Sequence, residues 1–245
     1  MNYVNCATRL SINGALEIIW TLIDLSGSME TDDWKPSRMA GAVAANKELI
    51  RVKAENYPTD SMGIIGFGTN VKVLHDSVPI STGMQSLYQA LDSVDTMGGT
   101  NITGALELAK KEFFTNQKQG EVALEKTMKN IPRTFLNLLF GTAHNESSIP
   151  VACGKKTITK RVILLSDGGH NANGRSPVKR ATLLKSAGVI IDCIGIGGSP
   201  EEIDEPLLKQ IASCNPDGSI RYCFIGDKYQ LIRKYESLAH HIRLA

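Results

Sequence analysis

Three short segments of this chain collect hard oxygen atoms, the donors that divalent cations prefer. In DLSGSM, Asp24, Ser26 and Ser28 sit at alternate positions. Alternate side chains of an extended or looping backbone point the same way, so this one segment can deliver three oxygens to one place. Gly27 is expected to allow the tight turn between the two serines. In MGGTNIT, Thr100 adds a hydroxyl just ahead of a helix, and Gly98 and Gly99 let the backbone come close. In LLSDGG, Asp167 stands at the tip of a second apolar strand. Carboxylate and hydroxyl oxygens suit Mg²⁺, Mn²⁺ or Ca²⁺. Each segment alone has an ordinary explanation: a cap at Asp24, a helix-initiating hydroxyl at Thr100, a turn residue at Asp167. Together, in this order and each at a strand or loop end, they point to one metal site.

The elements that must position these residues alternate short apolar runs with helical-period segments. That is the pattern of a doubly wound α/β fold, a mainly parallel sheet flanked by helices. Leu16–Ile23 is almost continuously apolar, as expected of a strand covered on both faces. A helix is expected after Pro36, with Met39, Ala42, Val43, Leu49 and Ile50 on one face. Ser61–Phe67 and Val71–Leu74 read as a hairpin joined at Gly68-Thr69-Asn70. Helices follow around Leu87–Val94 and Thr103–Phe114. Strands RVILLS (161–166), VIIDCIGIG (189–197) and IRYCFI (220–225) alternate with a helix from Ser176-Pro177 to Gly188 and one opened by Asp204 and Pro206. Leu231, Tyr235, Leu238 and Ile242 mark the closing helix. The count is about six strands, one an antiparallel edge strand, in a single domain over 1–245 with its core at about 16–242. The stretch 115–160 is a long insertion, read as a lid or subdomain whose apolar FLNLLF packs back on the body, with a partner-docking element as the alternative.

A formal charge of +2 leaves no electrostatic footprint for nucleic acid or anionic lipid. The densest basic cluster, GKKTITKR (154–161), is expected to be a solvated loop. Five cysteines without a C-x-x-C pair argue against a disulfide framework or zinc site. The first twenty residues lack the signal-peptide pattern, and Ala15–Ile23 is too short to span a membrane, so a cytoplasmic setting is expected. Neither GFGTNV nor GIGGSP completes a dinucleotide fingerprint, GKKT lacks the upstream glycine of a phosphate loop, and LSGSM is no nucleophile elbow.

On DLSGSM, GGTN and LLSDG the chain resembles a von Willebrand factor A-type domain, whose signature is the metal-ion-dependent adhesion site. The Asp-x-Ser-x-Ser pattern matches Asp24, Ser26 and Ser28, the distant Thr matches Thr100, and the late Asp matches Asp167. The resemblance implies that Ser26, Ser28 and Thr100 bind Mg²⁺ directly while Asp24 and Asp167 act largely through water. It further implies a protein partner that completes the ion's coordination with a Glu or Asp. Met29, Glu30, Asn101, His170 and Asn171 are expected to form the rim, from adjacency in sequence. For an intracellular chain the resemblance implies a ring-forming ATPase or a kinase or phosphatase module as the kind of partner. The chain is expected to be no enzyme. The competing reading is a haloacid-dehalogenase-like phosphotransferase with Asp24 as nucleophile, but that family expects a second Asp where Ser26 stands.

Overall fold

From Ile19 to Asp24 every residue of the first strand is buried, because β1 (Leu16–Asp24) lies in the middle of the sheet with helices on both faces. Its odd positions, Ile19 and Ile23, enter one core with α1 (Arg38–Asn56), α2 (Ile80–Asp92) and α6 (Lys228–Leu238). Its even positions, Trp20 and Leu22, enter a second core. That core is filled by the helix at 102–114 (α3), by α4 (Pro177–Ser186) and by α5 (Glu205–Ile211). The period of two in the strand therefore sorts the helices into two layers. The computed structural model describes residues 16–114, 158–171 and 176–240. Most of the 115–160 insertion, including FLNLLF, and Ile242 of the closing helix lie outside the described residues.

The sheet order is β3-β2-β1-β4-β5-β6, with β2 (Ser61–Phe67), β3 (Val71–Pro79), β4 (Ile158–Ser166), β5 (Val189–Ile196) and β6 (Tyr222–Ile225). All neighbours are parallel except the β2–β3 pair, which makes β3 an antiparallel edge. The chain winds outward from β1 to β3, then returns to place β4 on the other side of β1. The ends of β1 and β4 therefore flank the switch point, where open α/β sheets hold their ligands.

Several boundaries differ from the sequence reading. β3 runs on to Pro79, pairing Ser61 with Pro79 through an irregular register, and α2 starts directly after it. On an exposed edge the polar residues His75, Asp76 and Ser77 cost a strand little, so no apolar alternation marks it. β4 begins at Ile158, inside the expected insertion. β6 is shorter than expected, and Ile220 instead forms an isolated bridge with Cys214. Gly188 closes α4 as expected, at φ 78° with its N–H on the Lys185 carbonyl (3.0 Å).

Arg161, which ends the basic cluster and opens the expected strand RVILLS, is 1% exposed. Its Nε donates to Asp192 Oδ2 (2.7 Å) and its Nη1 to the Leu238 carbonyl (2.6 Å), tying β4 to β5 and to the end of α6. Beside it, at the end of the sheet away from the β1 and β4 tips, Lys53 Nζ donates to Glu17 Oε2 (2.5 Å) and Asp60 Oδ2 (2.7 Å). Cys193, Cys214 and Cys223 are free thiols. Among the described residues no helix is long and apolar enough to cross a membrane.

Candidate metal centre

The β1–β4 register pairs Ile23 with Leu165, so Asp24 and Ser166 end up side by side. Ser166 Oγ donates to Asp24 Oδ2 at 2.5 Å, and the Ser26 N–H donates to Asp24 Oδ1 at 2.9 Å. Both carboxylate oxygens of this fully buried residue are thus engaged. Beyond Asp24 the chain stays tied to β2 through Leu25 N–H on the Phe67 carbonyl (2.7 Å), then turns into a 3-10 helix at Gly27–Glu30. That turn brings the Ser26 and Ser28 hydroxyls to 3.0 Å from each other. Both also donate to one atom, Asp167 Oδ1, at 3.3 and 2.9 Å.

Thr100 arrives on a separate loop. Gly27 N–H bonds the Gly98 carbonyl (2.9 Å), Met97 N–H bonds the Leu25 carbonyl (2.6 Å), and Asn101 N–H bonds the Gly68 carbonyl (3.0 Å). The Thr100 hydroxyl lies 4.0 Å from where a side chain on Gly168, next to Asp167, would begin. Gly98 adopts φ 79°, a conformation open mainly to glycine. Gly27 has neither a positive φ nor any atom within 4 Å of a potential Cβ, so the turn does not require glycine there as expected. A close approach to this loop is at Gly68, where an added Cβ would stand 2.7 Å from Met97 Cβ and 2.9 Å from the Met97 carbonyl oxygen. Gly68→Ala is expected to push the 97–101 loop away and to lower stability by about 1–3 kcal/mol, the usual cost of overpacking. Thermal melts of wild type and variant check this.

Burial pushes the Asp24 carboxyl up to about 6, against the opposing bonds from Ser166 and Ser26. Burial likewise raises Asp167, opposed by Ser28 and Arg38. Two desolvated carboxylates facing three hydroxyls suit a hard cation, which would restore the solvation they have lost. Among the described residues no group of three or more His, Cys, Asp or Glu is placed to hold a metal ion. The donor set here is of another kind, two carboxylates with three hydroxyls.

Four further residues belong to this centre and escaped the sequence reading. Ser166 sits one residue before Asp167 and, by strand alternation, faces Asp24 instead. Arg38, at the start of α1, donates through Nη1 to Asp167 Oδ2 (3.3 Å) and through Nη2 to Asp33 (2.6 Å) and Glu202 (2.8 Å). Only the Ser-Asp adjacency in LLSDGG could have signalled any of them; the Arg38 set is joined across 164 positions.

The five residues expected at the rim lie in different surroundings. Met29 is fully buried in the core with Leu25 and Trp34, because the 3-10 turn points it inward, so it is no rim residue. Glu30 is exposed and accepts from Thr96 Oγ1 (2.8 Å). Asn101 caps α3, its Oδ1 accepting from Gly104 N–H (2.9 Å), which relieves Thr100 of that task. Asn171 Oδ1 accepts from the Thr100 N–H (2.7 Å), and the Asn171 N–H returns a bond to the Thr100 carbonyl (3.1 Å). His170 Nε2 meets Thr103 Oγ1 at 3.3 Å. His75 is on β3, bonded to Ser86 Oγ (2.8 Å) and apart from the centre.

A profile described as the von Willebrand factor type A domain matches residues 19–170. A UPF0353 protein of Mycolicibacterium paratuberculosis is 26% identical over 193 residues, covering 76% of this chain and 47% of that protein. A von Willebrand factor type A structure from Catenulispora acidiphila superposes with a TM-score of 0.61 at 17% identity, covering 92% of this chain and 42% of the other. Proximal thread matrix protein 1 of the mussel byssus, solved with a zinc-occupied MIDAS motif, gives 0.61 at 19% identity, with 92% and 47% covered. The chain spans about half the length of these relatives. At such identities the solved structures speak for the fold alone. With the sheet order, the strand-tip carboxylates and a profile match over more than half its length, the chain belongs to the von Willebrand factor type A domain family.

Proposed function

We propose that this domain is a metal-dependent protein-interaction module, and that it acts in a cytoplasmic assembly. Ser26, Ser28 and Thr100 would hold Mg²⁺ (or Mn²⁺ or Ca²⁺), with Asp24 and Asp167 acting largely through water. When bound, the ion supplies a positive charge that an Asp or Glu of the partner can complete as a charge-assisted contact. The observation that carries the reading is the meeting of two serine hydroxyls on one oxygen of Asp167, beside buried Asp24. Asp24 supports the indirect role, because its two oxygens already accept from Ser26 and Ser166. A ring-forming ATPase or a kinase or phosphatase module is the kind of partner we favour.

Phosphoryl transfer from Asp24 is the weaker reading. A nucleophile needs an oxygen exposed to its substrate, and this carboxylate is buried and bonded on both sides.

Calorimetric titration with Mg²⁺ or Mn²⁺ is the direct test. One-site binding is expected in the intact chain, with a loss of about 10–100-fold in Thr100→Ala. Capture of partners in Mg²⁺ should be lost in EDTA and lost again in Thr100→Ala. An intact chain that binds neither ion overturns the proposal.

A further inference from the structure

Asp167 is gripped from two sides. Ser26 and Ser28 donate to Oδ1, while Arg38 Nη1 donates to Oδ2 at 3.3 Å. Arg38 is itself held in place. Its Nε bonds both oxygens of Asp33 (3.1 and 3.0 Å), and its Nη2 bonds Asp33 Oδ2 (2.6 Å) and Glu202 Oε2 (2.8 Å). The side chain is 7% exposed, so this cation has been taken out of water and is compensated by three carboxylates. Glu202 is anchored in turn, accepting from the Gly198 N–H at 3.1 Å. The guanidinium fork is planar and rigid, which makes the arrangement a fixture rather than one of many rotamers.

The consequence falls on the ion. With Oδ2 held by Arg38, Asp167 presents Oδ1, the oxygen on which Ser26 and Ser28 meet, to a cation or its water. Asp24 is restricted in the same way by Ser166 on its Oδ2. Turning either carboxylate to give a cation both its oxygens would break the bond that holds its Oδ2. Mg²⁺ takes carboxylates one oxygen at a time in near-octahedral geometry, whereas Ca²⁺ fills six to eight positions and uses bidentate carboxylates to do so. We infer that Arg38 is a positioning residue that sets the ion selectivity of this centre: by occupying Asp167 Oδ2 it denies a bidentate carboxylate and so favours Mg²⁺ or Mn²⁺ over Ca²⁺. This rests on the metal-binding reading above. The positive charge of Arg38 weakens every divalent cation alike, so the ratio of two affinities, and not either affinity alone, isolates the positioning role.

The test is calorimetric titration of the whole chain with MgCl₂ and with CaCl₂, on wild type, Arg38→Met and Arg38→Lys, each first shown folded by its melting transition. Wild type is expected to prefer Mg²⁺. Arg38→Met is expected to shift the Ca²⁺ to Mg²⁺ affinity ratio toward Ca²⁺ by about tenfold, the scale of an outer-shell change at a metal centre. Arg38→Lys keeps the charge without the fork and should shift the ratio in the same direction by less. If Arg38→Met does not fold, the Arg38→Lys ratio decides. A wild type that binds Mg²⁺ but keeps an unchanged ratio in the folded variant, or that prefers Ca²⁺ from the start, overturns this inference and leaves metal binding standing. A wild type that binds neither ion overturns both.

Discussion

Replacing Lys53 with methionine is expected to cost about 3–5 kcal/mol of folding stability, the penalty for removing one partner from a buried ion cluster. Lys53 is fully buried in α1, and its ammonium is shared between Glu17 of β1 and Asp60 ahead of β2. Asp60 also accepts the Glu17 N–H through its other oxygen (3.0 Å), so the same carboxylate helps set the start of β1. Methionine fills the space of the lysine stem, so the loss reports the charge and not a cavity. Against a total stability of roughly 5–15 kcal/mol the variant should be close to unfolding at ambient temperature. Arg51→Met on the same helix is the control. Arg51 bridges Glu48 and Glu55 at the surface, where water and salt screen an ion pair and leave it little effect on stability. Urea unfolding of both variants gives the comparison. A Lys53→Met loss no larger than that of Arg51→Met would show that the buried trio is not a stability determinant.

The second large effect concerns Asp24 and has opposite signs with and without an ion. In the folded chain its carboxyl titrates near 6 instead of the ordinary 3.8, because burial disfavours the charged form. A raised carboxyl means that the folded state holds the proton more tightly than the unfolded chain does. This contribution is fully present below pH about 4 and is lost as pH rises through about 6. Over about two pH units, at roughly 1.4 kcal/mol each, the ion-free protein gives up about 3 kcal/mol by pH 8. A bound cation reverses the balance by favouring the carboxylate, so ion affinity should fall about tenfold per pH unit below 6. Asp24→Asn keeps an acceptor for the Ser26 N–H but cannot ionise. Its ion-free form should therefore be more stable than wild type at pH 8, by up to about 3 kcal/mol, while Mg²⁺ no longer raises its melting temperature. Melting curves from pH 5 to 8, with Mg²⁺ and with EDTA, separate the two effects. Equal Mg²⁺ stabilisation of wild type at pH 5 and pH 8 would contradict the assignment.

What could be read without the fold was local. The alternation of Asp24, Ser26 and Ser28 is a property of six consecutive residues, and Asp167 follows a run whose apolarity marks it as a central strand. Gly188 after α4, and Asp204, which caps α5 by accepting from Leu207 N–H (3.0 Å), are equally local signals. The far half of edge strand β3, from His75 to Pro79, escaped because an exposed strand is held by backbone bonds, which leave no apolar pattern to read.

The tertiary structure alone decided which way side chains point once regular structure ends. Met29 follows Ser28 in sequence yet goes into the core, because a 3-10 turn rotates successive residues by about 120° whereas a strand alternates them. Arg38, Asp33, Glu202 and Asp167 meet only because α1 and the loop after β5 converge on the tip of β4, and no spacing along the chain encodes that meeting. The sequence thus determined which oxygens stand at the strand ends, through hydrophobic periodicity and ligand spacing. How those oxygens are oriented, and which partners restrict them, required long-range packing.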